Sequence, residues 1–222
     1  MRAELITLIS TVFNVLRSNS RWMTWNLFLA FIPLAISVWL FRRGRRRSLL
    51  WWSGFLVFFG FLPNAPYVLT DIIHLIQDIR TINSVWMITL VVIPVYLLFI
   101  LAGFEAYVLS LINLGYYLNR IGQSKWILAA ELVTHALSAV GIYLGRFLRF
   151  NTWDFITQPD ALATSIVEDV FGKLPLVIIA ITFVVVAGLY WMIKKVTLGL
   201  LQRGAITTHQ QTGNRDSTTA HY

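Results

Sequence analysis

The chain has 222 residues, 57% of them hydrophobic and only 13% charged, with a formal net charge of +8. A soluble domain carries about 25% charged residues, so an ordinary water-soluble globule is excluded. The absence of cysteine also excludes disulfides, thiolate metal sites and cysteine nucleophiles.

The apolar residues gather into runs of about 20, the length a helix needs to cross roughly 30 Å of hydrocarbon. The first segment, Leu5–Leu16, is short and carries Thr7, Ser10, Thr11 and Asn14 as a polar stripe at helical spacing. It either lies in the membrane interface or crosses as a short helix shielded by its neighbours. Glu4 and the lack of an A-x-A site argue against a cleaved signal peptide. Five clear spans follow: Trp22–Phe41, Leu49–Leu69, Val85–Ile112, Trp126–Gly145 and Leu174–Ile193. The expected fold is all-α, a polytopic transmembrane helix bundle with five clear spans plus a short sixth at the N-terminus. Residues 1–203 form its single domain. The remainder, 204–222, is polar, rich in Thr, Gln and His, and expected to be a disordered cytoplasmic tail.

Basic residues set the expected orientation. "RRGRRR", Arg42 to Arg47, places five arginines between the first two clear spans, and such a loop stays cytoplasmic. Alternation then puts Arg120, Lys125, Lys194, Lys195, Arg203 and the C-terminus on the same side. Thr70–Ser84 and Arg146–Lys173 fall outside. Arg17 and Arg21 also fall outside and are the one dissent. Because the positive charges cap hydrophobic runs, they read as topology signals and headgroup contacts; nucleic acid is not an expected partner.

Two longer motifs stand out: "FLPNAPYVLTDIIHL", Phe61–Leu75, and "GIYLGRFLRFNTWD", Gly141–Asp154. With "WNLFLAFIPLAIS", Trp25–Ser37, they resemble the bacterial membrane family catalogued as domain of unknown function 1361. The resemblance covers the chain up to about Ile193. It implies a multi-pass bacterial inner-membrane protein, and it brings no activity, substrate or catalytic residues with it.

The residues themselves define two polar groups. Pro63 and Pro66 remove backbone donors near the outer end of the second span and bias the residue before each away from helical angles, so a break or kink is expected there. A freed carbonyl then needs a donor such as the Asn64 side chain. Asp71, His74 and Asp78 recur at i, i+3 and i+7 on one face of the next helix, with Ile72, Ile73, Leu75, Ile76 and Ile79 on the other. Arg146 and Arg149 follow the fourth span one turn apart, near Asn151, Trp153 and Asp154. Arg146 or Arg149 is expected to pair with Asp71. As structure, this group is a latch between two outer loops. As chemistry, the arginines suit a phosphate or carboxylate, and an Asp71/His74 pair suits a general base. D-x-x-H-x-x-x-D is a weak metal signature, and no metal or other cofactor is expected.

The second group lies within the spans: Glu105, with Glu131 and His135 at i and i+4 on one helix face. Ionisable groups in hydrocarbon mark a functional site by default, here for protons or cations, while the bland alternative is hydrogen-bonded packing. Gly141 and Gly145, spaced G-x-x-x-G, permit close helix approach within the chain or in an oligomer. No Walker loop, G-x-S-x-G elbow or H-E-x-x-H helix occurs. Three functions therefore compete: a structural or accessory component working through membrane-protein partners, an enzyme acting on a lipid or lipid-linked phosphate, and a small proton-coupled carrier.

Overall fold

The computed structural model describes the backbone of residues 2–44, 47–148, 157, 160 and 173–219, and the side chains of 17, 19–44, 47–148, 157, 160 and 173–203. Among these residues it is entirely helical in its regular structure. Five helices are long and apolar enough to cross a membrane: Asn19–Arg43, Leu49–Thr81, Val85–Arg120, Ser124–Arg146 and Lys173–Arg203. Each contains one of the five expected spans.

The first helix, α1, runs unbroken over Arg2–Ser37 and widens into a π-helical turn at Val38–Arg43. The Leu5–Leu16 segment is thus continuous with the first span, with no turn to make it a separate crossing or a flat helix. No proline or glycine stands between Leu16 and Trp22, so nothing interrupts the hydrogen-bond ladder there. At about 1.5 Å per residue, its 36 residues rise further than one bilayer is thick.

The second span is built in pieces: α2 (Leu49–Phe61), α3 (Asn64–Tyr67), a 3₁₀ turn (Val68–Asp71) and α4 (Ile72–Thr81). Ser48 caps α2 by accepting from the Trp51 amide, and Ser84 caps the next helix by accepting from Met87. That helix begins as α5 (Val85–Met87), passes through a π-helical turn (Ile88–Val92) and continues as α6 (Ile93–Arg120). Gly122, at φ +74°, closes the turn after α6, a conformation that suits a residue without Cβ. A 3₁₀ turn (Ser124–Trp126) leads into α7 (Ile127–Arg146), and the chain ends in α8 (Lys173–Thr219). The backbone of α8 carries through residues 204–219. No proline follows Pro175 to remove a donor from its ladder.

α6 is the hub, packed on α1, α3, α7 and α8. One core gathers Leu40, Phe41, Phe58, Phe104, Tyr107, Leu111 and Tyr190, and a smaller one Met23, Val68, Met87, Tyr96 and Phe99. Two glycines let the second span approach α6 and α7 closely. A Cβ on Gly103 would lie 2.8 Å from Val68, and one on Gly141 would lie 2.8 Å from the Pro63 ring. Large apolar side chains such as Leu56, Leu90, Leu98, Ile181 and Val184 stay exposed around the outside, as a lipid-facing surface requires.

The arginine loop closes one end of the bundle onto α6. Arg42 donates to Asn113 at 2.7 Å, Arg47 to the Tyr117 hydroxyl at 2.9 Å, and Arg120 to the Gly44 carbonyl at 3.1 Å. Asn113 in turn donates to Ser37 at 2.9 Å. These arginines therefore tie α1, the loop and α6 together.

Candidate functional site

At the end opposite the arginine loop, the proline segment makes the geometry. Leu62 keeps helical angles (φ −57°, ψ −38°) although it precedes Pro63. The expected departure from helix is replaced by a change of hydrogen-bond register: Ala65 N–H reaches back only to Leu62 O, at 3.1 Å. That leaves the Phe61 carbonyl without its usual i+4 backbone donor. The Asn64 side chain donates to it at 3.0 Å, as expected from the need to satisfy backbone groups in lipid. Gly141 on α7 admits the Pro63 ring. The first glycine of the G-x-x-x-G pair thus packs within the chain.

Beyond this point α4 runs antiparallel to α1, and their polar residues meet in register. Asn26 donates to Asp71 Oδ2 at 2.8 Å. Trp22 lies over His74, ring centroids 4.7 Å apart. Asn19 donates to Asp78 Oδ2 at 2.6 Å, and the Tyr96 hydroxyl donates to the same oxygen at 2.9 Å. The other face of α4 presents Ile72, Ile73, Ile76 and Ile79 outward.

Arg146, from the end of α7, joins this ladder. It faces Asp71 Oδ1 at 3.7 Å, an ion pair rather than a hydrogen bond. Its direct bonds go to Thr70 O at 2.9 Å and, more weakly, to the Tyr67 hydroxyl at 3.5 Å. The Asp71 side chain is 2% exposed and that of Arg146 23%. Asp71 therefore joins α1, the second span and α7. His74 shares its Nδ1 with Gln77 at 3.3 Å, so the structure gives it a different partner from the Asp71 of the expected dyad. Arg149 and Asp154, with Asn151 and Trp153, lie outside the described residues.

Among the intramembrane residues, α8 supplies a partner to each glutamate. Tyr190 donates to Glu131 Oε1 at 2.7 Å, and Lys194 forms an ion pair with the same oxygen. Thr197 donates to Glu105 Oε1 at 2.8 Å. Tyr190, Lys194 and Thr197 stand at i, i+4 and i+7, one stripe of α8. His135 is fully buried, with Nδ1 2.8 Å from the Tyr107 hydroxyl and Ser138 donating to that hydroxyl at 3.3 Å. Its Nε2 has no partner among the described residues. Tyr190 lies against the imidazole, ring centroids 4.7 Å apart.

Sequence reasoning missed Asn19, Trp22 and Asn26 as partners of α4, although N-x-x-W-x-x-x-N repeats the i, i+3, i+7 spacing of D-x-x-H-x-x-x-D. It read Lys194 as a topology charge only, and it missed the tyrosines. Aromatic hydroxyls in apolar runs carry no periodic signal of their own.

No curated protein and no solved structure matches the chain. A family model does, over residues 25–187, which take in Asp71, His74, Asp78, Glu105, Glu131, His135 and Arg146. With most of its length matched, the chain belongs to the family described as protein of unknown function, DUF1361.

Proposed function

We propose that the protein is a structural or accessory component of the bacterial inner membrane. In this reading the Arg42–Arg47 loop and the C-terminus are cytoplasmic, and the polar cluster at the opposite end is a latch. The observation that carries it is the commitment of Asp71. One carboxylate oxygen accepts from Asn26, the other faces Arg146, and almost none of the side chain reaches solvent. A general base needs an acceptor within hydrogen-bond reach of its substrate. Here both oxygens serve neighbouring helices, and His74 is held by Trp22 and Gln77. These contacts support a device that fixes helix positions over an enzyme acting on a lipid phosphate.

The test is to quantify folded protein in membranes for Asp71→Asn, Asp71→Leu and Arg146→Gln. A latch lowers accumulation in all three, most in Asp71→Leu. Variants that accumulate fully but lose an activity would identify a reaction centre instead. The accessory role is checked with photo-crosslinkers at Ile73 and Ile76, on the exposed face of α4. A stoichiometric membrane-protein adduct supports it. Conversion or transport of a substrate by the purified protein alone overturns it.

One observation favours a second reading, the proton-coupled carrier. His135 is buried with an unpartnered Nε2, and the Glu131–Lys194 pair lies one turn away along α7. Proton flux into vesicles holding the purified protein and a pH dye, abolished in a folded Glu131→Gln variant, would support it. Flux no greater than in empty vesicles removes it.

A further inference from the structure

Arg17 and Arg21 are the basic residues that contradict the orientation set by the arginine loop. Both are exposed, and among the described residues neither forms an ion pair. On α1 they flank Ser20 in sequence, and Ser20 lines a groove of about 470 Å³ between α1 and α6. Ser20, Thr24 and Leu27 line its α1 wall, and Val95, Leu98 and Ala102 its α6 wall. Arg17 continues the α1 wall by one turn, since 17, 20, 24 and 27 share a helix face.

The two walls are parallel neighbours. Trp22 lies near Tyr96 at one end, and Ser37 bonds Asn113 at the other. The groove therefore runs along the bundle from the level of Asn19 and Ser20 toward the middle of the membrane. Leu98 on its rim is 68% exposed, so it opens sideways to where lipid lies. Asn19 and Tyr96, the other polar residues beside it, are already committed to Asp78. Ser20 donates to the Arg17 carbonyl at 3.0 Å, so the two arginines and Thr24 are left to read a polar group near it.

We infer that this groove binds an anionic phospholipid, with its phosphate on Arg17 and Arg21 and one acyl chain between α1 and α6. Guanidinium groups offer paired donors to phosphate oxygens, and the groove's volume falls within the range of small-molecule sites. The occupant also explains the dissenting charges. Arginines on the wrong side of the bilayer weaken the topology signal, whereas arginines that hold a lipid headgroup have a separate use.

Native mass spectrometry of the full chain in detergent tests this, using phosphatidylglycerol and phosphatidylcholine with the same acyl chains. Each arginine near an anionic lipid is worth about fivefold, so the first phosphatidylglycerol should bind roughly thirtyfold more tightly. R17Q/R21Q should bring that preference to within about threefold. Ala102→Phe, which fills the groove and keeps both arginines, should weaken both lipids alike. Equal affinities in the unaltered protein overturn the inference. So does a preference that survives R17Q/R21Q, which places recognition elsewhere, or soluble glycerol phosphate competing as well as the lipid, which leaves the groove no part.

Discussion

Replacing Asp71 by leucine removes a carboxylate with one direct hydrogen bond and one ion pair across three elements. At 3.7 Å and an effective dielectric constant of about 20, the gross attraction to Arg146 is about 4 kcal/mol. Breaking a buried pair by removing one partner costs about 3–5 kcal/mol, mostly from the charge left behind. Arg146 is 23% exposed and keeps its bond to Thr70 O, so part of that cost is relieved by solvent. Asn26 loses its acceptor as well, at about 1 kcal/mol. The expected destabilisation of Asp71→Leu is therefore about 3 kcal/mol. Asp71→Asn retains an acceptor for Asn26 and should cost about half as much. Equilibrium unfolding in lipid nanodiscs, on these variants and on the Asp71→Asn/Arg146→Gln double variant, measures both values and their coupling. The double variant should be more stable than the sum of its single changes implies. Strict additivity, or an Asp71→Leu protein within 0.5 kcal/mol of the original, would refute the latch.

Gly141→Val forces a branched side chain against a rigid ring and should cost about 1–3 kcal/mol by the same assay, with the oligomeric state unchanged. If it instead alters oligomerisation, the glycine face serves a second copy. Lys194→Met leaves the buried Glu131 carboxylate with its Tyr190 hydrogen bond but without its lysine counter-charge and should destabilise by about 2 kcal/mol, while Glu131→Gln/Lys194→Met should recover most of that loss. A double variant no better than Lys194→Met would show that the charges are not coupled. Orientation is checked by single cysteines in this cysteine-free chain: Ser84→Cys should react only from outside the cell, and Ser48→Cys only from the cytoplasm. Reversed labelling overturns the cytoplasmic placement of the arginine loop.

The helical class and the five spans were readable because length and hydropathy are properties of single segments. The need for a side-chain donor such as Asn64 was readable from Pro63 and Pro66, but not which carbonyl it would serve, since Phe61 loses its donor through the register shift of Ala65. Extent was less readable. Apolar composition marks where a helix is in lipid and not where its ladder ends, so α1 and α8 run past the boundaries drawn from hydropathy. Pairing was readable only where both partners carried opposite charges at the same end, as Asp71 and Arg146 do. Glu105 and Glu131 were expected to stand together because they sit at similar depths. Both meet the same α8 stripe, Glu131 at Tyr190 and Lys194 and Glu105 at Thr197, partners that depth alone does not name because it leaves rotation about the helix axis open.

The ladder between α1 and α4 carries that point further. Asn19, Trp22 and Asn26 on one helix and Asp71, His74 and Asp78 on the other share one spacing, and the antiparallel course pairs first with last. A shift of α4 by one residue would turn its carboxylates toward lipid and its isoleucines toward asparagine. The polar ladder therefore selects a register that apolar packing alone would leave loose, since lipid and helix surfaces are equally apolar. If that is its role, Asn26→Leu should cost more than the single bond it removes, because Asp71 loses a donor while remaining buried. The measured cost should exceed that of Asn19→Leu, whose carboxylate partner Asp78 keeps the Tyr96 hydroxyl. Equal costs for the two would mean that the ladder contributes bonds and no register.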